Sequence, residues 1–248
     1  MFQLFQPLLM FIILPINSLL RKVVLLSHYV QHRIQWKGPH TPEWYDHYLD
    51  LYFQWPYRQN PFWVESGVYS ALCIKPQSQI LEMCCGDGFN SKHFYAIRCK
   101  SLTSIDFDKT AIAHARKYNS HKKGQFILGD IRKDLPDQKY DNIVWDAAIE
   151  HFTEIEIAKI MESIKKRLCP EGILSGYTIV ELPTGEKQLH QHEYEFKSKE
   201  DLYRFLDPWF KNIRVFETIY PERHNLYFYA SDGTLPFDRA WSAGMSKN

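Results

Sequence analysis

Two glycines, a carboxylate and an acid–imidazole pair are spaced so that they could act on a ligand. Residues 79–90 read Gln-Ile-Leu-Glu-Met-Cys-Cys-Gly-Asp-Gly-Phe-Asn. Gly86 and Gly88 supply a backbone that turns sharply and approaches a bound molecule with no Cβ in the way. Asp106 stands eighteen residues beyond Gly88. A carboxylate there can accept two hydrogen bonds from the hydroxyls of a ribose, and Phe107 beside it can lie against an adenine ring. Glu150-His151 comes later in the chain. Imidazole titrates near neutrality, so His151 can take a proton from a hydroxyl or an amine. The chemistry on offer is capture of an adenosine-like cofactor next to one proton-moving group.

Particular elements must hold these residues. Ile80–Met83 is a short apolar run with one acid inside it, the pattern of a buried parallel strand. Ser101–Ile105, Phe126–Leu128, Tyr140–Trp145 and Ile173–Val180 repeat that character, each strand after the first preceded by a helix-compatible segment or a turn. Lys109–Tyr118 is a helix with Asp108 as its cap. Helix 153–169 opens on Thr153 and Glu156, a capping box, and shows Ile157, Ile160, Ile164 and Leu168 on one face. Ser198 caps a further helix whose buried face is Leu202, Phe205, Leu206 and Phe210. Strands alternating with helices predict a doubly wound parallel sheet, with ligands outside the carboxyl ends of its strands.

Each candidate also has a purely structural reading. The glycine corner can be an ordinary strand–turn–helix connection, Asp106 a turn residue, and His151 a helix-entry histidine satisfied by backbone. A dinucleotide site would want a third glycine where Ser91 stands.

As a set, these segments resemble class I S-adenosylmethionine-dependent methyltransferases, over about residues 74–231. Glu82, Cys84, Gly86 and Gly88 at alternate positions are similar to that family's first motif, an acid followed by three glycines, with Cys84 in place of the first glycine. The resemblance implies a Rossmann-like seven-stranded, mostly parallel sheet with an antiparallel last strand, and S-adenosyl-L-methionine as cofactor. It implies that Glu82, Cys84, Gly86, Gly88, Asp106, Phe107 and Asp146 line the cofactor site. It also implies that Asp130 accepts from the adenine amine while Ile131 touches the ring. His151 is the candidate base, and His192 a residue of the acceptor pocket. The expected activity is methyl transfer to an oxygen or nitrogen of a small-molecule acceptor. The alternatives are a non-catalytic cofactor-binding subunit and a nicotinamide-dependent oxidoreductase.

Composition sets outer limits. A net charge of +1 gives no bulk attraction for nucleic acid. Five cysteines with no Cys-x-x-Cys pair read as reduced thiols in a cytoplasmic protein. Zinc has no supporting cysteine spacing, and His190, His192 and Glu193 make only a weak pattern, so no metal is expected. Four regions are expected: an apolar segment 1–34, an aromatic-rich helical cap 35–74, the core 75–231 and a tail 232–248. In the first, Pro7 and Pro15 disfavour a continuous helix and the apolar run Leu8–Leu14 is short for a membrane span. A helix packed on the domain or a weak membrane anchor are its two main readings. In the second, Thr41-Pro42 and Asn60-Pro61 are helix starts, and Trp44, Tyr48 and Tyr52 share a face. No feature of the sequence sets an oligomeric state.

Overall fold

The computed structural model describes residues 2–35, 47, 59, 61–221 and 223–235. The chain divides into two compact units, 1–59 and 60–248. In the first, Phe2–Gln35 is one α-helix with Pro7 and Pro15 inside it. This corrects the expectation that the prolines break it. Proline removes one N–H donor, but its φ is already helical, and the leucines and methionine around it favour helix. Gln6–Gln31 is long and apolar enough to cross a membrane, by length and composition. Its large side chains, among them Phe11, Leu19 and Leu26, are exposed. The cap residues from Trp36 to Tyr45, with the Thr41-Pro42 helix start, and from Tyr48 to Arg58 lie outside the described residues, as do the side chain of Trp63 and the tail beyond Leu235.

The second unit starts with helix Phe62–Leu72, which the sequence reading had grouped with the cap. Seven strands follow: β1 Gln79–Met83, β2 Ser101–Asp106, β3 Gly124–Leu128, β4 Tyr140–Asp146, β5 Leu168–Ile179, β6 Asn212–Tyr220 and β7 Arg223–Ser231. They form one sheet in the order β3-β2-β1-β4-β5-β7-β6. β1 to β5 pair in parallel, and β7 runs antiparallel to both of its neighbours. This is the Rossmann-like sheet with an antiparallel last strand that the sequence predicts.

Alternation along the strands makes two cores. On β1 and β4, Leu81, Met83, Ile143 and Trp145 pack with Ile157, Ile160 and Ile164 of helix Glu154–Arg167 and with Leu202 and Leu206 of helix Lys199–Leu206. Their neighbours Ile80 and Val144 join a separate cluster with Ala71, Tyr95 and Leu102. Successive strand residues therefore face opposite helix layers, as period-two geometry requires. β5 begins earlier than expected: Leu168 already pairs with Tyr140, and Cys169–Gly172 bulges out before Ile173 takes its place opposite Asn142.

Helix starts are held by side chains. Asp108 accepts from the N–H of Thr110 at 2.6 Å and of Ala111 at 3.1 Å. Thr153 and Glu156 form the reciprocal capping box, and Ser198 accepts from Asp201. The strand order reverses at β1, where β2 lies to one side and β4 to the other. The carboxyl ends of β1, β2 and β4 therefore open the crevice in which such sheets bind ligands. A cleft lined by Lys75, Ser78, Asp141 and Gly172 sits at the opposite ends of the strands.

Replacing Thr153 by Ala removes one half of the capping box and is expected to cost about 1 kcal/mol in urea unfolding. No change in the midpoint would contradict the capping assignment.

Candidate functional site

The turn after β1 is built by backbone that few residues adopt. Cys84, Gly86 and Gly88 have φ of +56°, +53° and +74°. Cys84 thus keeps the left-handed conformation natural to glycine, at a cost on the order of 1 kcal/mol; its half-buried side chain packs on the larger core. Gly88 is required twice: by its φ, and because a Cβ there would lie 2.6 Å from the Phe126 ring. The N–H of Gly88 closes the turn on the Cys85 carbonyl at 3.0 Å. A single turn of wide helix, Ser91–Tyr95, leads away from it. Burial raises the Cys85 thiol well above its ordinary range, which makes it an inert core group.

Asp106, at the tip of β2, ties this turn to the next element. Its Oδ2 accepts from the Gly86 N–H at 2.8 Å, and its Oδ1 from the Asp108 N–H at 2.8 Å. The residue is buried. A carboxylate can accept more than two hydrogen bonds, so this anchoring is compatible with ribose hydroxyls as further donors. Phe107 is 57% exposed next to it, open to a flat ring.

Glu82 lies beneath the turn. Its Oε2 accepts from Ser104 Oγ at 2.7 Å and makes a short contact with Ser91 Oγ. Parallel register sets Glu82 directly opposite Ser104. The carboxyl is 5% exposed, and burial pushes its pKa up to about 8. Its role in this structure is to hold the turn from below. Asp146, at the tip of β4, accepts from Tyr95 hydroxyl at 2.6 Å and Ser70 Oγ at 3.1 Å, and burial lifts it to about 7. It therefore draws the wide turn and helix Phe62–Leu72 onto β4.

Asp130 and Ile131 lie just beyond the tip of β3. The Asp130 carboxylate is gripped by the Arg132 guanidinium at 2.8–3.0 Å, which holds it below the usual carboxylate range. Arg132 also reaches Glu156 at 3.0 Å. Ile131 is 4% exposed and belongs to the core. The Asp130 carboxylate is thus oriented by Arg132, and the Ile131 side chain packs inward beside it.

On the other side of β4, Ala147 takes a φ of +51° and the chain enters a short 3-10 turn, Ile149–His151. Glu150 is buried and accepts from Thr178 Oγ1 at 2.9 Å. Its carbonyl accepts from the N–H groups of Glu193 and Tyr194 at 2.8 and 3.0 Å, which staples the distant loop here. His192 arrives with that loop, 2% exposed, its ring 4.8 Å from the half-buried ring of His151. Its Nδ1 meets the buried Glu195 carboxylate. His190 and Glu193 are exposed. Sequence reasoning missed Glu195; the i,i+3 spacing from His192 was the available signal.

The sheet order, the left-handed turn and the acid at the tip of β2 define a class I methyltransferase fold. Residues 80–172 match the family model described as "Methyltransferase domain". Among curated proteins, it is 27% identical over 160 residues to a malonyl-[acyl-carrier protein] O-methyltransferase of Bacillus anthracis, covering 58% of this chain and 59% of that one. It is 30% identical over 97 residues to the protein of that name from Bacillus cytotoxicus, covering 39% and 33%. The chain thus spans between a third and three fifths of the relatives' lengths. Among solved structures, the N-methyltransferase NodS of Bradyrhizobium japonicum in complex with S-adenosyl-L-homocysteine aligns with a TM-score of 0.57 at 20% identity, over 71% of this chain and 91% of that one. The complex titled DhpI-SAH aligns at 0.55 and 18%, over 73% and 90%.

The buried acid Glu82 generates a pH dependence. Unfolded, it releases its proton near 4.5; folded, near 8. Between those values the folded state binds the extra proton, so stability falls as pH rises through that window, by at most about 1.4 kcal/mol per pH unit for one proton. Asp146, which burial raises to about 7, adds to the trend. Glu82→Gln is expected to flatten the curve of urea stability against pH from 5 to 8. An equal slope in the variant would contradict the assignment.

Proposed function

We propose that the protein transfers a methyl group from S-adenosyl-L-methionine to an oxygen or nitrogen of a small-molecule acceptor. One observation carries this: the Asp106 carboxylate and the left-handed Cys84–Gly88 turn meet at the strand-order reversal, linked by the Gly86 N–H. In this reading the methionine end lies over the turn, the ribose hydroxyls donate to Asp106, and the adenine lies against Phe107.

The reaction is an in-line displacement. The acceptor lone pair forms a bond to the methyl carbon as the carbon–sulfur bond breaks. The sulfur keeps that electron pair and leaves as S-adenosyl-L-homocysteine, and the acceptor gives up its proton. The sulfonium is activated by its own charge, so the protein mainly aligns the reactants, an effect worth on the order of 7 kcal/mol or more. His151 edges the carboxyl end of β4, where the acceptor would lie, and is the residue that handles its proton.

The names of the relatives support the reading. Two act on a carrier-protein-linked malonyl group at oxygen, and one structural neighbour is an N-methyltransferase. A carrier-tethered acceptor therefore belongs in the same assay as free metabolites. A nicotinamide-dependent activity is disfavoured because Ser91, where a third glycine would stand, is used to hold Glu82. We also propose that helix Phe2–Gln35 gives a cytoplasmic protein weak membrane affinity, on the strength of its exposed apolar side chains. Fractionation of the full chain against a chain lacking residues 1–34 tests this; both remaining soluble would remove the idea.

Asp106→Asn is expected to weaken S-adenosyl-L-homocysteine binding in calorimetry by about tenfold to a hundredfold, with the fold retained, because charged acceptors contribute about 1.5–3 kcal/mol. Unchanged affinity would show that the ribose lies elsewhere. His151→Ala is expected to lower turnover by about a hundredfold or more while leaving cofactor affinity within about twofold. Full activity in that variant would remove His151 from the reaction.

A further inference from the structure

Glu150, His151 and His192 reach one spot from two loops: one ligand atom from each lies within 4.8 Å of the other two. We propose that these three side chains bind a divalent transition cation of the zinc or cobalt class, replacing the expectation that the protein holds no metal. The site rests on the methyl-transfer reading only for its use, not for its existence.

The donor set is one carboxylate and two imidazoles. Imidazole suits zinc and the later first-row metals such as cobalt better than magnesium or calcium, which prefer all-oxygen shells. Three protein ligands leave a position open for water or an acceptor atom, the arrangement of catalytic rather than structural sites.

Each ligand is already oriented. His192 Nδ1 is engaged by Glu195, so Nε2 is the nitrogen turned to the cation, and a carboxylate behind a ligating histidine is the usual support of such a ligand. Thr178 Oγ1 orients the Glu150 carboxylate, and the two N–H donors to the Glu150 carbonyl lock the loops together. His151 is half-buried and forms the open side.

The surroundings also call for a cation. Glu150 and Glu195 are both buried, and Glu195 Oε2 has no hydrogen-bond partner among the described residues. Both carboxyls lie in a poorly solvated place, where a charge is costly unless paired. A bound cation would lower the proton affinity of an acceptor hydroxyl beside it. In that form His151 promotes loss of the acceptor proton as a ligand rather than by taking it.

The test is titration of the full-length, chelator-stripped protein with CoCl2, ZnCl2 and MgCl2. It is followed by calorimetry and, for cobalt, by visible absorption. The expected result is one cobalt or zinc ion per chain, held more tightly than magnesium. His151→Ala and His192→Ala are each expected to weaken it by about tenfold or more. S-adenosyl-L-homocysteine binding serves as the fold check in both. His151 is half-buried, so its variant keeps the His192–Glu195 contact even if removal of His192 disturbs the loop. Absence of cobalt and zinc binding would overturn the site, as would binding unchanged in His151→Ala or magnesium held as tightly as zinc. Protein that binds the nucleoside but neither ion overturns the cation site and leaves the methyl-transfer reading intact. Protein that binds cobalt through these residues but not the nucleoside supports the site and removes the cofactor reading.

Discussion

The bridge made by the Asp106 carboxylate is the contact on which the site depends. One oxygen holds the Gly86 N–H in the turn after β1, and the other holds the Asp108 N–H where the next helix begins. Asp108 in turn caps that helix. A single charged acceptor therefore sets the distance between two strand tips. Hydrogen bonds to an ionised acceptor are shorter and stronger than neutral ones, which suits a residue that must both shape a turn and face a ligand. The left-handed backbone at Cys84, Gly86 and Gly88 is the strained partner of this bridge.

Two further acids support the turn from the sides and carry the opposite logic. Glu82 and Asp146 are held by hydroxyls, from Ser91, Ser104, Ser70 and Tyr95, rather than by cations. Burial raises both toward neutrality. Hydroxyl partners let these groups stay packed whether or not they carry charge. The crevice is thus framed by one bridging acid at β2 and by two raised acids at β1 and β4. On the acceptor side, the Glu150 carbonyl fastens the 190–195 loop to the end of β4 and so brings together histidines 41 positions apart.

Most of the sheet was legible because each strand is a short apolar run ending in a turn signal, and the caps at Asp108 and Thr153 are local patterns. The left-handed corner followed from its glycines. What escaped was set by contacts between distant side chains or by the balance of competing local effects. Glu82 faces Ser104 only once the parallel register is known. The pairing of Asp130 with Arg132 was not foreseen. The prolines in Phe2–Gln35 were given more weight than the helix-forming residues around them. Glu195 was missed because its i,i+3 spacing from His192 gains meaning only once the loop folds both side chains inward. The excursion at Cys169–Gly172 interrupts the pairing of β5, which resumes at Ile173.

The central claim is that an adenosine with a sulfur side arm lies over the Cys84–Gly88 turn with its ribose on Asp106. A crystal structure of the protein soaked with S-adenosyl-L-homocysteine tests it most directly. The account predicts density over that turn, with both ribose hydroxyls within hydrogen-bond distance of the Asp106 carboxylate and the adenine against Phe107. A nucleoside bound anywhere else, or a turn that stays closed to it, would contradict the account.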